Sequence, residues 1–147
     1  MINAYETEDG VVFDMSQLEC DALRSYADGL LTDPEHPFVE LLRGQGLVVG
    51  DTPVPHLAAL LQAFSQATKV LTAWVVAPAG CRRSTFFVGP HSAAVLRCDD
   101  GGLYADEDDM VSVWAIDSAQ LRDTFFELSA IGEIGRASCR ERVSSPV

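Results

Sequence analysis

Residues 70–116, VLTAWVVAPAGCRRSTFFVGPHSAAVLRCDDGGLYADEDDMVSVWAI, contain four segments rich in Val, Phe, Thr and Trp, separated by short runs of Pro, Gly and Asp. The segments are 70–77, 83–88, 92–98 and 110–116. Runs of β-branched and aromatic residues bounded by turn residues read as strands. The turns are Pro78-Ala79-Gly80, Gly89-Pro90-His91 and the tetrapeptide at 99–102, which holds an Asp-Gly pair, a strong hairpin signal. Residues 103–105 read as a further short strand ahead of an acidic loop at 106–109. The expected fold is α+β, an antiparallel β-meander of four to five strands with helices before and after it.

On the amino-terminal side, residues 10–14 read as a short strand, and Ser16 with Glu19 three residues later forms a capping box at the start of a helix. Met15 and Cys20 occupy the staple positions. Leu18, Ala22, Leu23, Tyr26 and Leu30 follow at helical spacing as one apolar stripe. A second helix is expected over 37–43, presenting Phe38, Leu41 and Leu42 and stopped by Gly44 and Gly46. After a brief extended piece at 47–49, a third helix runs from 53 or 54 to 69, with Leu57, Leu60, Leu61, Phe64 and Ala67 on its stripe. Pro53 and Pro55 suit its first turn, where a missing N–H costs little. Beyond the meander, Asp117 or Ser118 caps a last helix with Leu121, Phe125 and Leu128 on one side, ending at Gly132.

A chain of 147 residues, 48% of them hydrophobic, suffices for one core, so one domain is expected over 1–132. The stretch 133–143, EIGRASCRERV, reads as the translation of a sequencing-adapter oligonucleotide, so 133–147 is set aside as a non-native tail and the domain is expected to be truncated. The formal charge is -12, from 10 basic and 22 acidic residues. Such a surface repels phosphate backbones and anionic lipids, which argues against nucleic acid and against a membrane as partner. Cys20, Cys81 and Cys98 are scattered at spacings that match no metal or redox motif, as in a reducing compartment. The acidic start MINAYETEDG lacks the basic and apolar regions of a signal peptide, and Gln62, Ser65, Gln66 and Lys69 interrupt the most apolar run. A cytoplasmic protein is expected.

The candidate chemistry is sparse. His36, His56 and His91 each adjoin a proline or lie within a residue of one, with no Cys, His or carboxylate at ligand spacing, and read as turn histidines. Asp106, Glu107, Asp108 and Asp109 lack the alternation, central Gly and distal Glu of a calcium loop. Ser84 and Ser92 sit in no G-x-S-x-G context. Cys81 has Arg82 and Arg83 as neighbours, the setting of a reactive thiol, but no resolving cysteine or histidine accompanies it. The three-helix start could pass for the front of a winged helix, yet only Arg24 and Arg43 are basic between residues 16 and 54. No catalytic residues, metal site or cofactor are assigned, and no enzymatic activity is expected.

Both 110–116 and 70–77 are apolar on both faces: Met110, Trp114 and Ile116 oppose Val111, Val113 and Ala115, and Val70, Trp74 and Val76 oppose Leu71, Val75 and Ala77. A sheet with one wet face alternates instead. The three amino-terminal helices would shield one face, leaving the other to the last helix or to a partner, so an exposed apolar patch is expected.

The run LLRGQGL at 41–47, the helix with HLAALLQAF at 56–64, the hairpin with Arg82 and Arg83, the strand SAAVLRC at 92–98, the acidic-Gly turn and VSVWAI resemble the amino-terminal half of the EspG family. These are cytosolic chaperones of actinobacterial type VII (ESX) secretion. The resemblance implies a protein-binding module that takes PE/PPE-type helical pairs, with homodimerisation as the other use of the patch. Arg82, Arg83, Phe86 and Trp114 are the partner-binding candidates, the two arginines at the patch rim. The alternative expectation is a small acidic regulatory or immunity-type protein that neutralises a basic partner.

Overall fold

A computed structural model describes residues 1–8, 10–78, 80–99, 101–102 and 104–129. Six strands form one antiparallel sheet in the order β1-β2-β8-β7-β6-β5. The meander is β5 (Lys69–Ala77), β6 (Gly80–Val88), β7 (Ser92–Cys98) and β8 (Met110–Asp117). Ahead of it, β1 (Asn3–Thr7) and β2 (Gly10–Ser16) form a hairpin whose second strand pairs with β8 through Phe13↔Val113 and Met15↔Val111. The two ends of the described chain thus meet in the middle of one sheet.

The sheet therefore exceeds the expected four to five strands. β1, NAYET, is exposed along its whole length and carries no apolar alternation, so nothing in its pattern announces a strand. Of the expected strand at 103–105, Tyr104 and Ala105 lie in loop structure, and residue 103 is outside the described residues, as are Gly132 and the segment 133–147.

Helices α1 (Gln17–Ala27), α2 (Pro37–Gly44) and α3 (Pro55–Ser65) gather against one face, and α4 (Leu121–Ser129), entered through a 3-10 turn at Ser118–Gln120, against the other. Between α2 and α3, β3 (Val48–Val49) and β4 (Thr52–Pro53) make a two-residue ladder. The capping box at α1 is complete: Ser16 Oγ accepts from the Glu19 N–H at 3.1 Å, and Glu19 Oε1 accepts from the Ser16 N–H at 2.9 Å. A second box closes on Asp117 and Gln120, so the last helix starts at the expected place.

The larger core joins Phe13, Met15, Val111 and Val113 of the sheet to Cys20 and Leu23 of α1, Phe38 and Leu42 of α2, and Leu57, Leu60, Leu61 and Phe64 of α3. The stripe of α3 is the expected one. That of α1 is rotated: Gln17, Cys20 and Leu23 are buried, while Leu18 is 54% exposed and Leu30, beyond the helix end, 72%. Cys20 and Leu23 sit three residues apart on the side that meets α3 and β8, and this contact overrides the longer leucine spacing. The smaller core lies under α4, where Phe86, Val95 and Ile116 meet Leu128, with Leu121, Phe125 and Trp114 at its margin.

Leu60 is almost fully buried between α3 and the sheet, so Leu60→Ala should lose about 2–5 kcal/mol in a denaturant titration. The Cys20 thiol is fully buried, and that burial, with Asp21 adding to it and Arg24 opposing it, pushes its pKa from 9.0 up to about 12. The folded state thus favours the neutral thiol. Its contribution is intact below pH 9 and is lost as pH rises towards 12, at up to about 1.4 kcal/mol per pH unit. Comparing pH-dependent unfolding of the wild type with Cys20→Ala isolates this slope, which should be shallower in the variant.

Candidate protein-docking surface

Neighbouring residues on a strand face opposite sides, and this separates the two arginines. Arg82 projects to the α4 side, 39% exposed, with its Nε 3.2 Å from Asp99 Oδ1; the same oxygen lies 3.3 Å from Arg97 Nε. Arg83 projects to the α1 side and is 5% exposed. Its Nη2 lies 3.5 Å from Asp109 Oδ2 and 3.5 Å from Gln17 Oε1, and its Nη1 donates to the Gly102 carbonyl at 3.3 Å.

Arg83 is consequently a structural residue. It anchors the acidic loop, whose carbonyls in turn cap α1: the Gln17 N–H donates to Asp109 O at 2.7 Å and the Leu18 N–H to Glu107 O at 3.1 Å. Asp109 Oδ2 also accepts from the Asp106 N–H at 3.0 Å. Gly101 fits tightly here, since a Cβ on it would come within 2.7 Å of Cys98 Sγ and 3.2 Å of Asp109 Oδ2. The carboxylate of Asp109 is thus committed to Arg83 and to its own loop.

The other two candidates also fall inside the fold. Phe86 has no exposed surface and packs on Phe125, ring centroids 5.5 Å apart. Trp114 is half-buried beside it. Of the four residues expected to bind a partner, Arg83 and Phe86 are core residues, and only Arg82 and part of Trp114 reach solvent.

The exposed apolar surface lies instead on β5, an edge of the sheet. Val70 is 57% exposed, Trp74 50% and Val76 66%, all on the α1 side, and Leu71 is 46% exposed on the α4 side. The helical layer explains the gap. α1 lies over β2 and β8, and α3 over β8, β7 and β6. A helix about 10 Å across covers roughly two strands spaced about 4.8 Å apart, so the cover thins past β6 and leaves the β5 edge open.

That gap is a trough of about 390 Å³. Its floor is Val70, Thr72, Trp74, Thr85, Phe87 and Leu96, and its wall is Gln17, Asp21 and Arg24 of α1. Tyr104, 87% exposed, closes one end with Ala105. The Arg24 guanidinium stacks 4.4 Å from the centre of the Phe87 ring, carrying a cation onto an apolar floor. One signal for this surface was present in the sequence. No Asp or Glu occurs from Thr52 to Cys98, a stretch that holds Lys69, Arg82, Arg83 and Arg97, while all 22 acidic residues lie outside it.

Scans against protein-family models, curated proteins and solved structures give no match to this chain.

Because Arg83 is buried and its partner Asp109 largely so, while Arg82 is at the surface, Arg83→Ala should destabilise the fold by about 3 kcal/mol and Arg82→Ala by less than about 1. Chemical denaturation of the two variants checks the difference. Hydrogen exchange should also show the 104–109 loop loosening in the first variant alone.

Proposed function

We propose that this protein is a non-enzymatic, cytoplasmic protein-binding module that seats an amphipathic helix in the trough between α1 and β5. The observation that carries the reading is the open position in the helical layer: a floor beside α1, built mainly from β5 and β6 and exposing Val70 and Trp74, of about the width that one helix covers. A helix laid there would bury Val70, Trp74 and Val76, and helix-in-groove docking draws its affinity from such anchors. Arg24, at the wall, would meet the carbonyl end or an acidic residue of the incoming helix.

The sequence resemblance to the EspG family supports a partner of the PE/PPE type, a secreted helical pair held by a chaperone of type VII secretion. Arg82 then serves at most as a rim contact, and the docking residues are those of β5. No helix among the described residues is long and apolar enough to cross a membrane. The segregation of the acidic residues favours a second reading, in which the acidic remainder of the surface neutralises a basic partner.

Titration of the purified protein with a PE/PPE-type pair, followed by calorimetry, tests the first reading. Binding with a negative heat-capacity change is expected, weakened at least tenfold in Trp74→Ser and Val70→Ser while Tyr5→Ser on the opposite edge has no effect. Absence of binding, or equal binding by all variants, would overturn it. Capture of a basic protein, abolished by about 0.5 M salt, would support the second reading.

A further inference from the structure

We propose that β5 pairs with β5 of a second copy of this chain, antiparallel about a two-fold axis at Ala73, so that the two six-stranded sheets run on as one. The backbone of β5 is built for this. Its register with β6 is unbroken from Lys69↔Val88 to Ala77↔Gly80. In a hairpin closed by that last pair, Val70, Thr72 and Val76 aim their N–H and C=O groups away from β6. No proline interrupts the strand, and Lys69, at its first position, is its one charge. Edge strands are ordinarily blunted by central charges, prolines or shortness, and β5 has none of these.

The sequence of the strand is complementary to itself in this register. Val70 meets Val76 of the second copy on the α1 side, Leu71 meets Val75 on the α4 side, and Ala73 meets its own counterpart on the axis, where two small residues allow the close approach of a non-hydrogen-bonded pair. Charge selects the same edge. Two copies of a chain with net charge -12 repel each other. The acid-free half of the sheet is where they can approach. At the opposite edge, self-pairing of β1 would bring Glu6 against a second acidic strand. An isologous contact of this kind closes at two copies.

The two-fold axis stands perpendicular to the sheet, so both copies present their α1 side in the same direction. The floor of the trough would then run β6-β5-β5-β6, four strands and about 19 Å wide, walled by α1 at each side. That width takes two helices of about 10 Å each. Resting on the helix-docking reading above, this makes the dimer the form that accepts a helical pair. An edge contact of one strand per copy is small for a permanent dimer and suits a reversible, concentration-dependent one.

Sedimentation or light scattering of the whole chain over about 1–500 µM is the test. The mass should rise from 15.9 kDa to twice that value and stop. Thr72→Pro and Val76→Pro each remove an outward N–H and should leave a folded monomer by circular dichroism, while Glu6→Pro, which removes an outward N–H on the opposite edge strand β1, leaves the dimer intact. Hydrogen exchange read on the wild type, which no variant can confound, should show the amides of Val70, Thr72 and Val76 slowing as concentration rises. A mass fixed at one copy, a mass that climbs past two without a plateau, or exchange at these amides that ignores concentration would overturn the proposal. Dimerisation without helix binding would leave the dimer standing and sink the docking reading alone; a helical pair bound by one copy would do the reverse.

Discussion

The strand Met110–Asp117 carries apolar side chains on both faces, Val111 and Val113 on one and Trp114 and Ile116 on the other, and each face has to be kept from water. Apolar surface gains roughly 25 cal/mol per Å² when removed from water, so a doubly apolar strand belongs in the middle of a sheet with a layer on each side. β8 occupies that place, between β7 and β2. The rest of the fold follows from supplying the two layers: α1, α2 and α3 on one side, α4 on the other, and a hairpin from the start of the chain to give β8 its second neighbour.

The layers are uneven. α4 spans the part of its face that holds Phe86, Val95 and Ile116, and beyond it that face turns polar through Ser84, Arg97, Ser112 and Asp14, with Ser112 Oγ donating to Asp14 Oδ1 at 2.7 Å. The other face, although it carries Thr72, Thr85 and the buried Arg83, keeps apolar side chains as far as its β5 edge but runs short of helices there. Exposed apolar surface therefore concentrates at one edge and on one side, where Val70, Trp74 and Val76 sit together. The two basic residues on the turn side of β6 are paired with acids of the β7–β8 loop, Arg82 with Asp99 at the surface and Arg83 with Asp109 within the fold, so the edge itself is nearly uncharged. An apolar, charge-poor edge on a strongly acidic protein is the one region where association costs little desolvation and little repulsion.

Local chemistry made much of this legible from the sequence. The four meander strands, the Ser16–Glu19 capping box, the Leu57-Leu60-Leu61-Phe64 stripe and the start of the last helix depend on residues within a few positions of one another, and each is found within a residue or three of its expected place. The differences, among them an α3 that stops at Ser65 rather than 69 because Lys69 is taken into β5, have one cause. β1 has no pattern because an exposed edge strand takes its stability from β2 alone. The stripe on α1 shifted because α3 and β8 chose the Cys20 side. The expected strand at 103–105 gave way at Tyr104 and Ala105 because the adjoining loop is held by Arg83 and by the first turn of α1.

By itself the sequence determined that the fold is α+β around an antiparallel meander, that both sheet faces need cover, and that the acidic residues avoid the stretch from Thr52 to Cys98. Only the tertiary structure decided which residues a partner could touch. Arg83 and Phe86 look like surface candidates in a linear reading, yet one is claimed by Asp109 from 26 positions along the chain and the other by Phe125 from 39. Burial depends on the number of layers stacked over a strand and on which strand ends the sheet. Both are set by contacts between distant segments, which no local pattern encodes.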